Sequence, residues 1–169
     1  MDQSPPVLWR IARAADASLD GEGARLHGAR WSSQGVAVVY AASHLPLAAL
    51  EYLVHIDPED APDDLVALGL QVPDDTIASV CEPADLPAGW RATPPPPERR
   101  DIGDRWIREG EHLLLRVPSV LVPEESNVLI NPAHPDAQRV RVAVTRQFSF
   151  DPRLASGHGQ GTGFAHRPR

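Results

Sequence analysis

The chain has 169 residues, of which 42% are hydrophobic and 23% charged, which is typical of one globular domain. All 16 cationic residues are arginines, which excludes a Schiff-base lysine and a P-loop lysine, and the single Cys81 excludes an intrachain disulfide. The net charge of −7 argues against nonspecific binding to nucleic acid or to an anionic membrane. No apolar run approaches the ~18 residues of a membrane span, and we expect a soluble protein of the reducing cytoplasm.

Two strands and one helix are predicted in the first third of the chain. Residues 7–11 are apolar enough for a first strand, whereas the Gly- and Asp-rich residues 16–28 are typical of a loop. Residues 36–42 form a continuous apolar run rich in β-branched residues, which indicates a buried strand. Leucines at helical spacing then predict a helix over 44–56, with Pro46 in its first turn.

The rest of the chain is mostly strand-like. An apolar run predicts a strand over 65–72, the tetraproline at 94–97 predicts an exposed polyproline II spacer, and a helix is expected over 99–110. Further strand-like segments lie at 113–117, 120–122 and 127–131, before a predicted half-buried edge strand over 139–150.

Strands and few helices in irregular order indicate an α+β fold with a mixed central β-sheet. We place one domain over residues 1–154 and expect the Gly-rich residues 155–169 to be a flexible tail. Charge is uneven along the domain, because residues 51–90 contain ten acidic residues and no arginine. We expect the densest acidic run in this stretch, residues 57–64, to be a solvated loop.

Four polar residues are notable for their sequence positions. Arg30 lies next to a Gly-rich loop and suits a bidentate phosphate contact, with a surface salt bridge as the alternative. Glu51 lies at the margin of an apolar helix face, where a buried carboxylate needs a partner. The sequence allows two interpretations, a structural pair with Arg30 or a functional role for Glu51. Ser119 stands between two predicted strands without a G-x-S-x-G motif, which favours a turn serine over a nucleophile. Asn131 precedes a proline and is typical of a turn, and no metal-ligand motif is present.

Six ordered stretches resemble the RES domain family, which is named for its Arg, Glu and Ser residues. They are W-R-I at 9–11, G-A-R-W-S-S-Q-G-V-A-V-V-Y-A-A-S at 28–43, L-A-A-L-E-Y-L-V-H at 47–55, G-D-R-W at 103–106, the segment from L-L-L-R to P-A-H at 113–134, and F-S-F-D-P-R-L at 148–154. The resemblance covers about residues 7–154, which is nearly the whole chain except the tail.

The resemblance implies a toxin of a bacterial toxin–antitoxin pair that depletes NAD, with a fold similar to that of the ADP-ribosyltransferase toxins. It implies an Xre-like helix-turn-helix antitoxin as the partner and a dimer within the complex. NAD is then the substrate rather than a cofactor, and no metal is required. The acceptor stays open among water, inorganic phosphate and a protein side chain. The alternatives are a protein ADP-ribosyltransferase and a non-catalytic module that only pairs with an antitoxin.

The same resemblance implies the site residues. The family's Arg, Tyr, Glu and Ser correspond to Arg30, Tyr40, Glu51 and Ser119. The residues expected to bind NAD are Arg10, Arg30, Tyr40 and Asn131. In this scheme Glu51 stabilises the oxocarbenium-like transition state and Tyr40 stacks on nicotinamide. Arg30 anchors the pyrophosphate or an adjacent ribose oxygen, and Arg10 is a second phosphate anchor. Ser119 is expected to orient Glu51 or the ribose.

Overall fold

The computed structural model describes residues 7–155 and places seven strands in one sheet. In chain order they are β1 (Val7–Arg13), β2 (Val39–Ala42), β3 (Leu65–Gln71), β4 (Ala78–Val80), β5 (Leu114–Pro118), β6 (Ser126–Ile130) and β7 (Arg141–Gln147). Their order across the sheet is β4-β5-β6-β2-β1-β3-β7, in which β4 and β5 are parallel and the other neighbours are antiparallel. The predicted α+β fold with a mixed central sheet is confirmed.

The described residues also form three α-helices, which are α1 (Glu22–His27), α2 (Leu45–Leu53) and α3 (Pro97–Glu109). Prolines occupy the first turns of α2 and α3, where the missing N–H costs no helical hydrogen bond. α3 ends at Gly110, whose φ of 64° lies in the left-handed region that terminates helices.

Hydrophobic side chains pack on both faces of the sheet, because the side chains of a strand alternate between its faces. One face carries the buried side chains of Leu8, Leu68 and Val128. The other face is covered on one side by α2, through Leu47, and on the other side by α3, through Trp106. The segment between α1 and β2 enters this second face, where its Trp31 packs in the same cluster as Trp106.

Several elements differ from their predicted extent. Residues 16–28 are not all loop, since they include α1, whose short polar sequence buries no residue and carries no hydrophobic signal. Within the run 36–42 only β2 is paired as a strand. Residues 120–122 are not a strand. The Ser119 hydroxyl accepts hydrogen bonds from the backbone N–H groups of Leu121 and Val122, which closes a turn. β4 is three residues long and was not predicted, since so short a strand has no readable alternation.

Two predictions of exposure are wrong. β7 forms the sheet edge as predicted, but all seven of its residues are exposed, so it is not half-buried. The tetraproline is not an exposed spacer, because Pro95 and Pro96 are partly buried and Pro97 is the first residue of α3. Proline is favoured at a helix start, and this run leads the chain directly into α3.

Within the described part of the chain, the helices are all too short or too polar to cross a bilayer. The tail predicted over 155–169 lies outside the described residues, except for Ala155.

We expect Gly103→Ala to destabilise the fold, because a Cβ at this position would lie 1.8 Å from the Trp31 carbonyl oxygen. Overpacking of this kind costs about 1–3 kcal/mol, which lowers the melting temperature of a domain of this size by several degrees. Gly23→Ala is the matched control, since a Cβ built there meets no atom within 4 Å apart from its chain neighbours and the backbone of α1 itself. Equal melting temperatures for the two variants would contradict the close approach of α3 to Trp31.

Candidate functional site

A cavity of about 500 Å³ opens on the sheet face that α2 covers. Its walls are formed by β1, β2, α2, the segment 28–31 and one residue of β6. Four aromatic residues, Trp9, Trp31, Tyr40 and Tyr52, line it together with Glu51 and with small alanines of β2 and α2. Cavities of this size, mostly apolar with a few converging polar groups, are typical of small-molecule sites.

Glu51 is held in this cavity through one oxygen of its carboxylate. Its Oε1 accepts a hydrogen bond from Ser119 Oγ at 2.7 Å and another from Asn127 Nδ2 at 2.6 Å. Among the described residues, Oε2 receives no hydrogen bond. The two donors are neutral, so they fix the orientation of the carboxylate without cancelling its charge.

Ser119 is fully buried, and every polar atom of its side chain is engaged. Its Oγ accepts the backbone N–H groups of Leu121 and Val122, each at 3.1 Å, so its one hydrogen is directed at Glu51. Ser119 is absent from the cavity lining. This arrangement fits a serine that orients Glu51 and offers nothing to a role as nucleophile.

Arg30 lines the same cavity as Glu51 without pairing with it. No ion pair joins the two side chains in the described structure, so the interpretation of Arg30 as the partner of Glu51 is wrong. The partners of the Glu51 carboxylate are Ser119 and Asn127. Arg30 Nη1 is buried and makes no hydrogen bond to a described residue. Neither Arg30 nor Glu51 forms an ion pair with a described residue.

Tyr40 is fixed by its hydroxyl, which contacts Ser32 Oγ at 3.0 Å and accepts the Trp31 N–H at 3.2 Å. Burial is the main cause that raises the pKa of Tyr40 to about 12, so the phenol is neutral at physiological pH. The ring is thereby set in the cavity wall beside the segment that carries Arg30.

The other two residues predicted to bind NAD have different surroundings. The Arg10 guanidinium donates to the backbone oxygens of Ser18 at 2.6 Å and Asp16 at 3.1 Å. Arg10 contributes to the cavity wall, but strand alternation directs its side chain to the sheet face opposite Trp9. Asn131 is buried, accepts the Ala133 N–H in a turn, and is not a lining residue. Their roles in NAD binding stay predictions.

Asn127 is the residue that sequence reasoning did not single out. It lies in β6 opposite Ala42 of β2, lines the cavity and donates to Glu51. The only available signal was an asparagine at the start of an apolar strand, where this residue type is disfavoured. Within residues 7–155 no group of three or more His, Cys, Asp or Glu side chains is placed to hold a metal ion.

The model of the RES domain family matches residues 7–152. The chain is 43% identical over 153 residues to a Sphingobium protein named Prs ADP-ribosylating toxin, covering 87% of this chain and 95% of that protein. It is 44% identical over 150 residues to a Pseudomonas putida protein named Toxin Res, covering 88% and 99%.

A solved structure is also similar, that of the M. tuberculosis MbcT–MbcA toxin–antitoxin complex. The TM-score is 0.69 at 14% sequence identity, and the match covers 90% of this chain and 88% of that chain. At this identity the likeness shows a common fold.

The two tyrosines of the chain allow a direct test of the Tyr40 environment. Burial raises the pKa of both, that of Tyr40 from 10.0 to about 12. Because the folded state favours the neutral phenol, this stabilisation is complete below about pH 10 and is lost as the pH rises towards about 12. We expect Tyr40→Phe to remove the later step of tyrosinate absorbance in an alkaline titration. Tyr52→Phe is the control, and a later step that survives in Tyr40→Phe would contradict this environment.

Proposed function

Because the chain belongs to the RES domain family, we propose that it is the toxin of a toxin–antitoxin pair and cleaves the nicotinamide–ribosyl bond of NAD. NAD is the substrate in this proposal, and no further cofactor is required. The observation that carries the proposal is the geometry of Glu51, a carboxylate fixed by Ser119 and Asn127 with Oε2 unbonded to any described residue. The same cavity contains Arg30, which makes no ion pair with that carboxylate.

A fixed carboxylate matches the chemistry of this bond. The nicotinamide of NAD leaves as a neutral base, and positive charge develops on the ribose in an oxocarbenium-like transition state. A negative group that is already oriented stabilises such charge without reorganising during the reaction. Glu51 provides that group, and its Oε2, to which no described residue donates, can accept a hydrogen bond from a ribose hydroxyl.

The remaining cavity residues suit the other parts of NAD. The planar guanidinium of Arg30, a lining residue of the cavity, suits a bidentate contact with pyrophosphate oxygens. The neutral ring of Tyr40 supplies a fixed aromatic surface for nicotinamide. A cavity of about 500 Å³ is also within the common range for small-molecule sites.

The acceptor of the ADP-ribosyl group defines the reaction. Water makes the protein a glycohydrolase, and inorganic phosphate, as co-substrate, makes it a phosphorylase. A protein side chain as acceptor makes it a protein ADP-ribosyltransferase, and this alternative is favoured by one observation, the similarity to the Sphingobium protein named Prs ADP-ribosylating toxin. Nicotinamide release with and without phosphate, with labelled NAD followed onto protein, distinguishes the three.

The partner in this proposal is an Xre-like helix-turn-helix antitoxin, and the complex contains a toxin dimer in the cytoplasm. The similar M. tuberculosis chain comes from a toxin–antitoxin complex, which supports a protein partner. The acidic residues 51–90 beside an arginine-rich remainder offer complementary surfaces to a charged partner. We propose no direct binding to nucleic acid or to a membrane.

We expect Glu51→Gln to abolish most of the turnover and to leave the fold and NAD binding nearly intact. The amide oxygen can still accept from Ser119 and Asn127, but the side chain carries no negative charge for the transition state. Loss of one such electrostatic group typically lowers the rate by on the order of 10²–10³. Nicotinamide release, NAD binding and thermal melting are measured together, with the exposed Glu59→Gln as control. Turnover at the wild-type rate would remove Glu51 from the mechanism.

We expect Arg30→Lys to weaken NAD binding by about 1–3 kcal/mol, the scale of hydrogen bonds to a charged group. Lysine keeps the charge but lacks the planar fork that contacts two oxygens at once. Titration calorimetry with NAD measures the change. Arg25→Lys is the control, since Arg25 is exposed on α1 and pairs with Glu22. Unchanged affinity in Arg30→Lys would show that Arg30 does not contact the pyrophosphate.

A further inference from the structure

The segment 29–33, which carries Arg30, is held along one side by α3. Arg100 Nε donates to the Ala29 carbonyl at 3.3 Å, and Arg99 Nε donates to the Arg30 carbonyl at 3.1 Å. One turn later, Asp104 Oδ1 accepts the Ser33 N–H at 2.9 Å. Because these bonds join side chains of α3 to backbone atoms, they fix the path of the segment whatever its side chains are.

The backbone of α3 itself also contacts this segment. At Gly103 the helix approaches so closely that a Cβ would lie 1.8 Å from the Trp31 carbonyl oxygen. The pair Gly103–Asp104 begins the G-D-R-W stretch, which no step of the proposed reaction uses. Gly103 and Asp104 contact residues 31 and 33, and through these contacts the stretch holds the segment that carries Arg30.

Arg99 is the unusual member of this contact. Its side chain is fully buried, with the guanidinium carbon 5.4 Å from the centre of the Trp31 ring. It donates to the carbonyls of Arg30 and Trp90, but its Nη2 is buried without a hydrogen bond to a described residue. No carboxylate pairs with it in the described structure, and its nearest charges include Arg30 and Arg100, which are cations. A buried charge without an acidic partner is a poor source of stability.

We propose that Arg99 is a positioning residue for Arg30. It holds the Arg30 carbonyl and the Trp31 ring together, and so sets the position of Arg30 in the cavity wall. The proposal rests on the proposed function only in what Arg30 binds there, which is the pyrophosphate of NAD. Arg99 itself is not a lining residue of the cavity and acts through Arg30.

The kinetic test uses the full-length chain with Arg99→Met and Arg99→Lys. Both substitutions remove the guanidinium that bonds the two carbonyls, and only Lys keeps the positive charge. We therefore expect the KM for NAD to rise about tenfold in both variants, while kcat changes little. Arg108→Met is the matched control, because Arg108 is an exposed arginine of the same helix. Adding Arg99→Met to Arg30→Lys should cause little further loss of NAD affinity, since the first acts through the second. Independent, additive losses would overturn the proposal.

A second measurement does not depend on NAD. We expect Arg99→Met to accelerate hydrogen exchange at the Trp31 and Ser33 amides, which are bonded to Tyr40 and Asp104, and Arg108→Met to leave both unchanged. If the wild-type chain neither binds nor cleaves NAD, the proposed function fails, and the exchange rates still decide the positioning role. Unchanged exchange at both amides in folded Arg99→Met, or in Arg99→Lys if Met does not fold, would overturn it.

Discussion

Two hydrogen bonds to one carboxylate oxygen connect three parts of the fold. Ser119 and Asn127 lie 68 and 76 residues from Glu51 in sequence, yet both donate to its Oε1. They do so because β5, β6 and β2 are neighbours in the sheet, and the chain leaves β2 directly into α2. A change that shifts α2 along the sheet, or alters the turn after β5, therefore misplaces the carboxylate even when Glu51 is intact.

The opposite charges of the cavity are stabilised independently of each other. Glu51 is bound by neutral donors, and the Arg30 segment is bound through its backbone by α3, so the two side chains do not neutralise each other. A salt bridge between them would satisfy both groups and leave little for a substrate to bind. Keeping them apart retains an anionic and a cationic group in one cavity, which suits a ligand that contains both phosphate and an incipient cation.

Such an arrangement has a cost in stability that the rest of the domain offsets. Arg30 and Arg99 both have buried nitrogens without hydrogen bonds to described residues, and each such group is expensive to desolvate. The compensation comes from extensive apolar packing on both faces of the sheet, including the largely buried Trp31 and Trp106 beside these arginines.

The sequence alone determined the fold class, the two long helices and most strands, since periodicity is local. The RES-like stretches also indicated Arg30, Tyr40 and Glu51, which line one cavity of the structure. It could not determine which groups touch. Asn127 contacts Glu51 only because β6 pairs with β2. The pairing of Trp9 with Ala42 places Trp9 on the cavity face, so the next residue of the strand, Arg10, points to the other face. The separation of Glu51 from Arg30, the burial of Arg99 and the close approach of Gly103 to Trp31 likewise depend on helix placement over the sheet. These contacts join residues far apart in the chain, and only the tertiary packing decides which of them meet.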